Sequence, residues 1–219
     1  MAIEDASVAT PKAKTKRLAI RDAATLVVVD QSGAVPRSLM GQRRADLAFM
    51  AGKFVFPGGR VDPADASSPA ADDLPPAELD KLLRSMRGRP SVRRARSLAL
   101  AAIRELREET GLVLGQADNP PLSRIAYVAR AITPPERPRR YDTRFFIADC
   151  ADLTETTFAG DGELTTIAWV TFKEAHALDI PRITRLILAD VATFLDGTAA
   201  STGIPFYHHR AGKFRRDLI

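Results

Sequence analysis

The sequence is nearly devoid of cysteine and poor in histidine. Cys150 stands alone among 219 residues, so neither an intramolecular disulfide framework nor a cysteine-based zinc cluster can form. No run approaches 18 consecutive apolar residues, which excludes a membrane-spanning helix. The opening stretch, MAIEDASVATPKAKTKR, carries an early Glu4-Asp5 pair and no apolar core. It is therefore not expected to act as a secretory signal, and a reduced, cytoplasmic setting is the expectation. No internal repeat is found.

What is present is ordinary for a globular chain. Apolar residues make up 45%, and the length suits a single domain with some decoration. The net charge is +5 and the pI about 9.6. That excess is modest for a nucleic-acid binder. The basic residues divide into 25 arginines and 7 lysines, a bias that suits forked recognition of phosphate or carboxylate. Composition thus points to anionic partners without choosing among them.

Residues 1–17 read as a disordered basic arm. Strand-like runs follow at 23–30, 38–44 and from Phe54 into a Pro57-Gly58-Gly59 turn. A loop and then AELDKLLRSM, a short helix, occupy the next stretch. From Ser91, an N-cap, VRRARSLALAAIRELREET runs without a breaker to Gly111, which predicts a helix over 91–110. Strands are expected at 123–133, 141–149 and 163–172, a short helix at 173–178 and a last helix at 183–195. The remainder, 201–219, reads as an unassigned basic tail. Strands on both sides of a long helix indicate an α/β sandwich.

The informative feature lies on that long helix. Glu105 is three and four positions from Glu108 and Glu109, so the three carboxylates share neighbouring faces. Like charges at those spacings repel by about 0.2–0.5 kcal/mol per pair. The negative end of the helix adds about 0.3–1 kcal/mol of penalty for each. A divalent cation reverses both signs, and oxygen ligands without histidine suit Mg²⁺ or Mn²⁺ rather than zinc. Alone, the string also fits a solvated acidic face offset by Arg104 and Arg107. The upstream Gly58-Gly59 turn, which lets backbone approach a ligand, shifts the balance toward a site.

Together these residues resemble the Nudix hydrolases, whose box reads G-x5-E-x7-R-E-U-x-E-E-x-G-U with U a bulky apolar residue. Gly59 opens it, and Arg104-Glu105-Leu106-x-Glu108-Glu109-x-Gly111-Leu112 matches the second half at every specified position. The resemblance runs from about residue 23 to 195. It implies a Nudix-type α/β/α sandwich around a mixed sheet, over 18–200, with an inserted helical segment at about 64–95. Because about 30 residues are inserted between the halves of the box, the first glutamate is displaced, and either Asp62 or Asp65 stands in for it.

Carried over residue by residue, the resemblance implies that Glu105, Glu108 and Glu109 bind Mg²⁺ or Mn²⁺, with the Gly58 carbonyl as a further ligand. Arg104 would hold the carboxylates in place through charge-assisted hydrogen bonds. Glu163, in GDGELTTIAWV, is the candidate for a later glutamate that contacts metal or acts as base; Glu105 is the other candidate base. The implied reaction is hydrolysis of a nucleoside diphosphate linked to another moiety, by activated water rather than a protein nucleophile. Cys150, His176, His208 and His209 then need no catalytic role.

Leu39, Met40, Arg43, Gly52 and Phe56-Pro57-Gly58-Gly59 resemble, in spacing, the members that cleave coenzyme A and acyl-CoA, although Gly41 and Ala48 depart from that pattern. Phe49-Met50, the insert and the stretch TPPERPRRYDTRFF are similar to the peroxisomal subgroup and its bacterial relatives. CoA carries a 3′-phosphate besides its diphosphate, so positive groups beyond the metal site are expected. Arg43, Gly59, Arg60 and Arg144 are the candidate substrate contacts, with Arg139 and Arg140 also available. The arginines at 84, 87, 89, 93, 94 and 96 read as a solvated basic face or a subunit contact. ADP-ribose, NADH or oxidised nucleotides are alternative substrates, and a non-catalytic nucleotide- or RNA-binding module is the alternative of another class. A small nucleotide-type molecule is the expected partner rather than nucleic acid or a membrane; a homodimer rests on family analogy alone.

Overall fold

Alternation along Ile20–Asp30 explains the centre of the fold. Ala24, Leu26 and Val28 are buried toward one side of this strand (β1), while Val27 and Val29 are buried toward the other. A strand apolar on both faces belongs in the middle of a sheet covered on both sides. The computed structural model describes residues 19–48, 50–197 and 203–219. The arm at 1–17 and Phe49 lie outside the described residues.

The further strands are β2 (Arg37–Arg43), β3 (Phe54–Val55), β4 (Gly58–Arg60), β5 (Val113–Leu114), β6 (Ala126–Ile132), β7 (Arg140–Asp149), β8 (Leu153–Glu155), β9 (Leu164–Thr171), β10 (Pro205–Arg210) and β11 (Lys213–Leu218). The helices are α1 (Pro76–Arg84), α2 (Val92–Thr110), α3 (Phe172–Ala177) and α4 (Arg182–Leu195). The main sheet runs β11-β10-β6-β7-β1-β2-β3, with β4 added to β1 and β9 to β2. Its β1–β7 and β6–β10 pairs are parallel and the rest antiparallel, so the sheet is mixed. β5 and β8 form a small separate pair.

On one face α2 buries Leu98, Ala99, Ala102 and Leu106 against Leu26, Tyr127 and Phe146. On the other, α4 buries Ile187, Leu188 and Val191 against Val27, Val29 and Ile147. The α/β/α sandwich expected from the residues is the observed architecture. α2 begins where Ser91 Oγ accepts from the Arg94 N–H at 3.3 Å, and it ends at Gly111, whose φ of 80° is the left-handed cap that glycine supplies at no steric cost. The insert is not a detached loop. Leu82 of α1 and Met86 join the α2-side core, and Glu78 accepts the Tyr127 N–H at 2.7 Å.

The C-terminal stretch departs from expectation. Residues 205–218 form the β10–β11 hairpin at one edge of the sheet instead of an unassigned tail. Tyr207 is buried on the α4 side and donates to Asp190 at 2.7 Å, while the Arg130 guanidinium lies 4.4 Å over the Phe206 ring on the other side. The charge that suggested a tail is what a solvent-facing edge strand carries: Lys213, Arg215 and Arg216 discourage further strand pairing. No described helix is long and apolar enough to cross a membrane.

Candidate active site

The C-terminal half of α2 lies against the glycine turn of β4. β4 is drawn onto β1 by the pairs Ala24↔Gly59 and Thr25↔Gly58, which fixes the turn beside the helix. A Cβ on Gly59 would overlap the Glu105 carboxylate, so the space that glycine leaves is the seat of that acid. The Gly58 N–H donates to Glu109 Oε2 at 2.8 Å. A side chain at 59 would displace the Glu105 carboxylate from that seat, and Gly58 anchors the second carboxylate.

Arg104 organises the rest. Its Nε donates to Asp65 Oδ1 at 2.9 Å, and its Nη1 to Glu105 Oε1 at 2.9 Å and Glu108 Oε2 at 2.7 Å. Nη2 reaches the Arg60 carbonyl at 3.1 Å and Asp65 Oδ2 at 3.2 Å. One guanidinium therefore holds three carboxylates. Burial opposes the Arg104 charge, but the Asp65 hydrogen bonds and the nearby carboxylates outweigh it and hold its pKa above the ordinary value. Between the two candidates for the displaced box glutamate, the side chain that meets Arg104 is Asp65. It is buried and stands six residues after Gly59, whereas Asp62 caps the short 3-10 turn at Pro63–Ala66.

Two acids face the site under strain of charge. Glu109 is buried, and desolvation pushes its carboxyl up to about 8; the neighbouring Glu105 and Glu163 add to this, while the Gly58 N–H and Arg43 oppose it. Burial also lifts Glu105 above the usual carboxylate range in spite of Arg104. Arg43 lies between Glu163 Oε1, at 2.5 Å, and Glu109 Oε1, at 3.6 Å. It faces the carboxylates and counters their charge.

The loop before β9 brings Glu163, the later glutamate expected from the sequence, beside the end of α2 through contacts that sequence reading did not name. The Ala159 N–H donates to the Thr110 carbonyl at 3.0 Å and the Asp161 N–H to the Glu108 carbonyl at 2.8 Å. These bonds satisfy orphan carbonyls at the end of α2. A Cβ on Gly160 would overlap the Glu109 carbonyl, so only glycine lets the loop sit this close. Asp161 Oδ1 then accepts the Glu163 N–H at 2.8 Å, and the Arg44 N–H donates to the Glu163 carbonyl at 3.0 Å. The Gly160-Asp161-Gly162 spacing was the visible signal.

The structure corrects one expected substrate contact. Arg144 is fully buried on β7, with Nη1 2.8 Å from Asp142 Oδ1 and 3.5 Å from Asp22 Oδ1. Strand alternation turns it into the α2-side layer, out of reach of any substrate. Arg60 is exposed, 3.9 Å from Asp62, and its side chain lines a neighbouring cleft.

The side chains at the end of α2 offer oxygen alone, from four glutamates, a chemistry that would match the hardness of Mg²⁺ or Mn²⁺. Among the described residues no three acidic, histidine or cysteine side chains are placed so as to hold a metal ion together. Arg104 and Arg43 lie between the acids, cations in a place where the charge calls for one.

Residues 91–191 match the family model of the NUDIX domain. The chain is similar to a NUDIX hydrolase from Alicyclobacillus acidocaldarius, at 25% identity over 80% of this chain and 92% of that one, with a TM-score of 0.60. It also shares its fold with the NUDIX domain of Shewanella oneidensis NrtR, solved with ADP ribose (12% identity, 81% and 90% covered, TM-score 0.53). The MutT protein from Methanosarcina mazei Go1 is similar in the same way (14% identity, 83% and 99% covered, TM-score 0.52). No curated protein matches the chain.

Proposed function

We propose that the chain, whose residues 91–191 match the NUDIX domain model and which is similar in fold to a NUDIX hydrolase, hydrolyses phosphorus anhydrides and cleaves a nucleoside diphosphate linked to another moiety. CoA or an acyl-CoA is the favoured substrate, giving 3′,5′-ADP and the (acyl-)4′-phosphopantetheine half. The observation that carries the hydrolytic reading is the Arg104 clamp. Asp65, Glu105 and Glu108 are gathered on one guanidinium beside Gly58-Gly59, and Glu109 is buried next to them. A binding module has no need of so costly a collection of acids. The CoA preference is supported by the sequence kinship around residues 39–59 and by the arginines near the site.

Nudix hydrolases generally use divalent cations; Mg²⁺ or Mn²⁺ is proposed here, held by Glu105, Glu108 and Glu109 with the Gly58 carbonyl and Glu163. Such an ion, when bound, neutralises the diphosphate and acidifies water. The chain's own residues do the rest. Arg104 keeps Glu105 and Glu108 oriented, and the Gly58 N–H fixes Glu109 Oε2. Glu163 is the favoured base: both acids are paired with an arginine, but its side chain is 36% exposed whereas that of Glu105 is 14% exposed. It would accept the proton of the attacking water at its carboxylate. Arg43, between Glu163 and Glu109, offers positive charge to an incoming diphosphate, and Gly59 keeps backbone close.

The test is a chromatographic product panel with CoA, acetyl-CoA, a long-chain acyl-CoA, ADP-ribose, NADH and 8-oxo-dGTP, with Mg²⁺ or Mn²⁺, alongside Glu109→Gln. Cleavage of a CoA species, lost in the variant, is expected. Preference for another compound would discard the CoA assignment and keep the hydrolytic site; metal-independent turnover, or full activity in Glu109→Gln, would overturn the site.

A further inference from the structure

A second positively charged feature lies away from the carboxylates. Beside the first two turns of α2 opens a cleft of about 620 Å³, lined by Arg21, Arg60, Arg93 and Arg94 against Asp22 and Asp62. Not all of this charge is answered. Arg94 is committed to Asp22 through two hydrogen bonds of 2.6 and 2.7 Å. Arg60 is 3.9 Å from Asp62. Among the described residues Arg21 and Arg93 have no acidic partner; Arg93 Nε reaches only the Ala66 carbonyl, at 3.4 Å. The first turn of α2 contains no acid to offset them.

The layer under the cleft adds to the imbalance. Asp22, on the cleft wall, is also 3.5 Å from the fully buried Arg144. Arg144 shares Asp142 with Arg130, and its Nε and Nη2 have no hydrogen-bond partner among the described residues. Two aspartates, Asp22 and Asp142, thus answer four arginines, Arg87, Arg94, Arg130 and Arg144, and the buried part of the surplus lies in a medium that screens it poorly.

The cleft is joined to the catalytic end of α2. Arg60 contributes its side chain to the cleft and its carbonyl to Arg104 Nη2. Ser97, on the cleft wall, is eight residues before Glu105, which is about 12 Å along the helix. We propose that this cleft binds a phosphate monoester, carried by the substrate's nucleoside at a point apart from the scissile diphosphate. Arg21 and Arg93 line one cleft without an acidic partner among the described residues, and guanidiniums suit a dianionic phosphate, which takes forked hydrogen bonds from them. The inference rests on the diphosphate reading of the catalytic helix, and it narrows the substrate class to nucleotides bearing that extra phosphate.

Calorimetric binding of adenosine 3′,5′-bisphosphate, 5′-AMP and inorganic phosphate to the full-length chain tests it, in the wild type and in Arg21→Ala/Arg93→Ala. Both arginines are exposed, so the variant is expected to fold; an unchanged Tm checks this. The bisphosphate should bind the wild type at least about tenfold more tightly than AMP, and the double variant should close that gap by weakening the bisphosphate alone. Arg21→Lys/Arg93→Lys should restore part of it. Equal affinities in the wild type, or an unaffected double variant, would overturn the proposal. Inorganic phosphate binding as tightly as the bisphosphate, and equally dependent on Arg21 and Arg93, would make free phosphate the occupant and also overturn it. Because none of these ligands is hydrolysed in the assay, a chain that prefers AMP to the bisphosphate yet cleaves diphosphates fails here alone. A chain that shows the bisphosphate preference yet cleaves no diphosphate fails the functional reading instead.

Discussion

Glu109→Gln is the substitution that most directly tests the electrostatics of the site. The carboxyl is buried, and its pKa is pushed from 4.5 up to about 8 by desolvation first and by Glu105 and Glu163 after it. An acid whose folded pKa is raised binds its proton more tightly in the native state than in the unfolded one. Stability is therefore fully present below about pH 4.5 and is lost as pH rises toward 8. Above that, ionised Glu109 costs the metal-free protein on the order of 5 kcal/mol at most, since any water that enters reduces it. For a chain of this length that ceiling is about 10–20 °C in Tm.

Glutamine keeps the side-chain oxygen that accepts the Gly58 N–H and removes the charge. In EDTA, differential scanning fluorimetry at pH 5 should find the two proteins alike, and at pH 9 the variant should melt higher. Adding Mg²⁺ at a hundredfold excess over its Kd contributes about 2.7 kcal/mol to the wild type, so its deficit at pH 9 should shrink. The variant should gain less. Parallel Tm profiles from pH 5 to 9 in EDTA would refute the reasoning, because a solvated Glu109 would not distinguish the two.

Other substitutions probe the packing around the site. Gly59→Ala drives a methyl into the Glu105 carboxylate, so kcat should fall by about 100-fold with a small change in Tm; normal kcat would show that Glu105 needs no fixed seat. Gly160→Ala should push the loop off the Glu109 carbonyl, and limited proteolysis should then cut near residues 158–162 faster than in the wild type. Arg144→Ala removes one partner of a buried cluster and should cost about 3–5 kcal/mol in urea unfolding. A selective rise in KM with unchanged stability would instead return Arg144 to substrate binding.

Features carried by local chemistry were legible before any coordinates. Ser91 and Gly111 bracket α2 because a side-chain oxygen and a left-handed residue are what helix ends require. The spacing of Glu105, Glu108 and Glu109 marked a repulsive cluster, and the Gly58-Gly59 turn upstream shifted its reading from a solvated face to a site. Asp65 was half legible: its distance from Gly59 marked it, but the choice over Asp62 depended on a guanidinium 39 residues away.

Contacts fixed by pairing across the sheet left no such trace. Arg144 reads as one more arginine in an alternating strand, and its burial follows from the parallel register that sets Asp22 beside Asp142 and Ala24 beside Arg144. That register brings together residues more than a hundred positions apart, which no spacing rule reaches. The C-terminal hairpin was hidden likewise, since β10 docks beside β6 through only Phe206↔Arg130 and Tyr207↔Ala131. Both cases bear on function in one direction. Arg144, which sequence alone would place at the disposal of substrate, is drawn inward with Arg130 onto Asp142, so the exposed positive charge of the cleft is that of Arg60, Arg21 and Arg93. The burial of the first pair strengthens the second set, because charge held under the cleft in a poorly screening layer adds its field to the exposed guanidiniums without competing for the ligand.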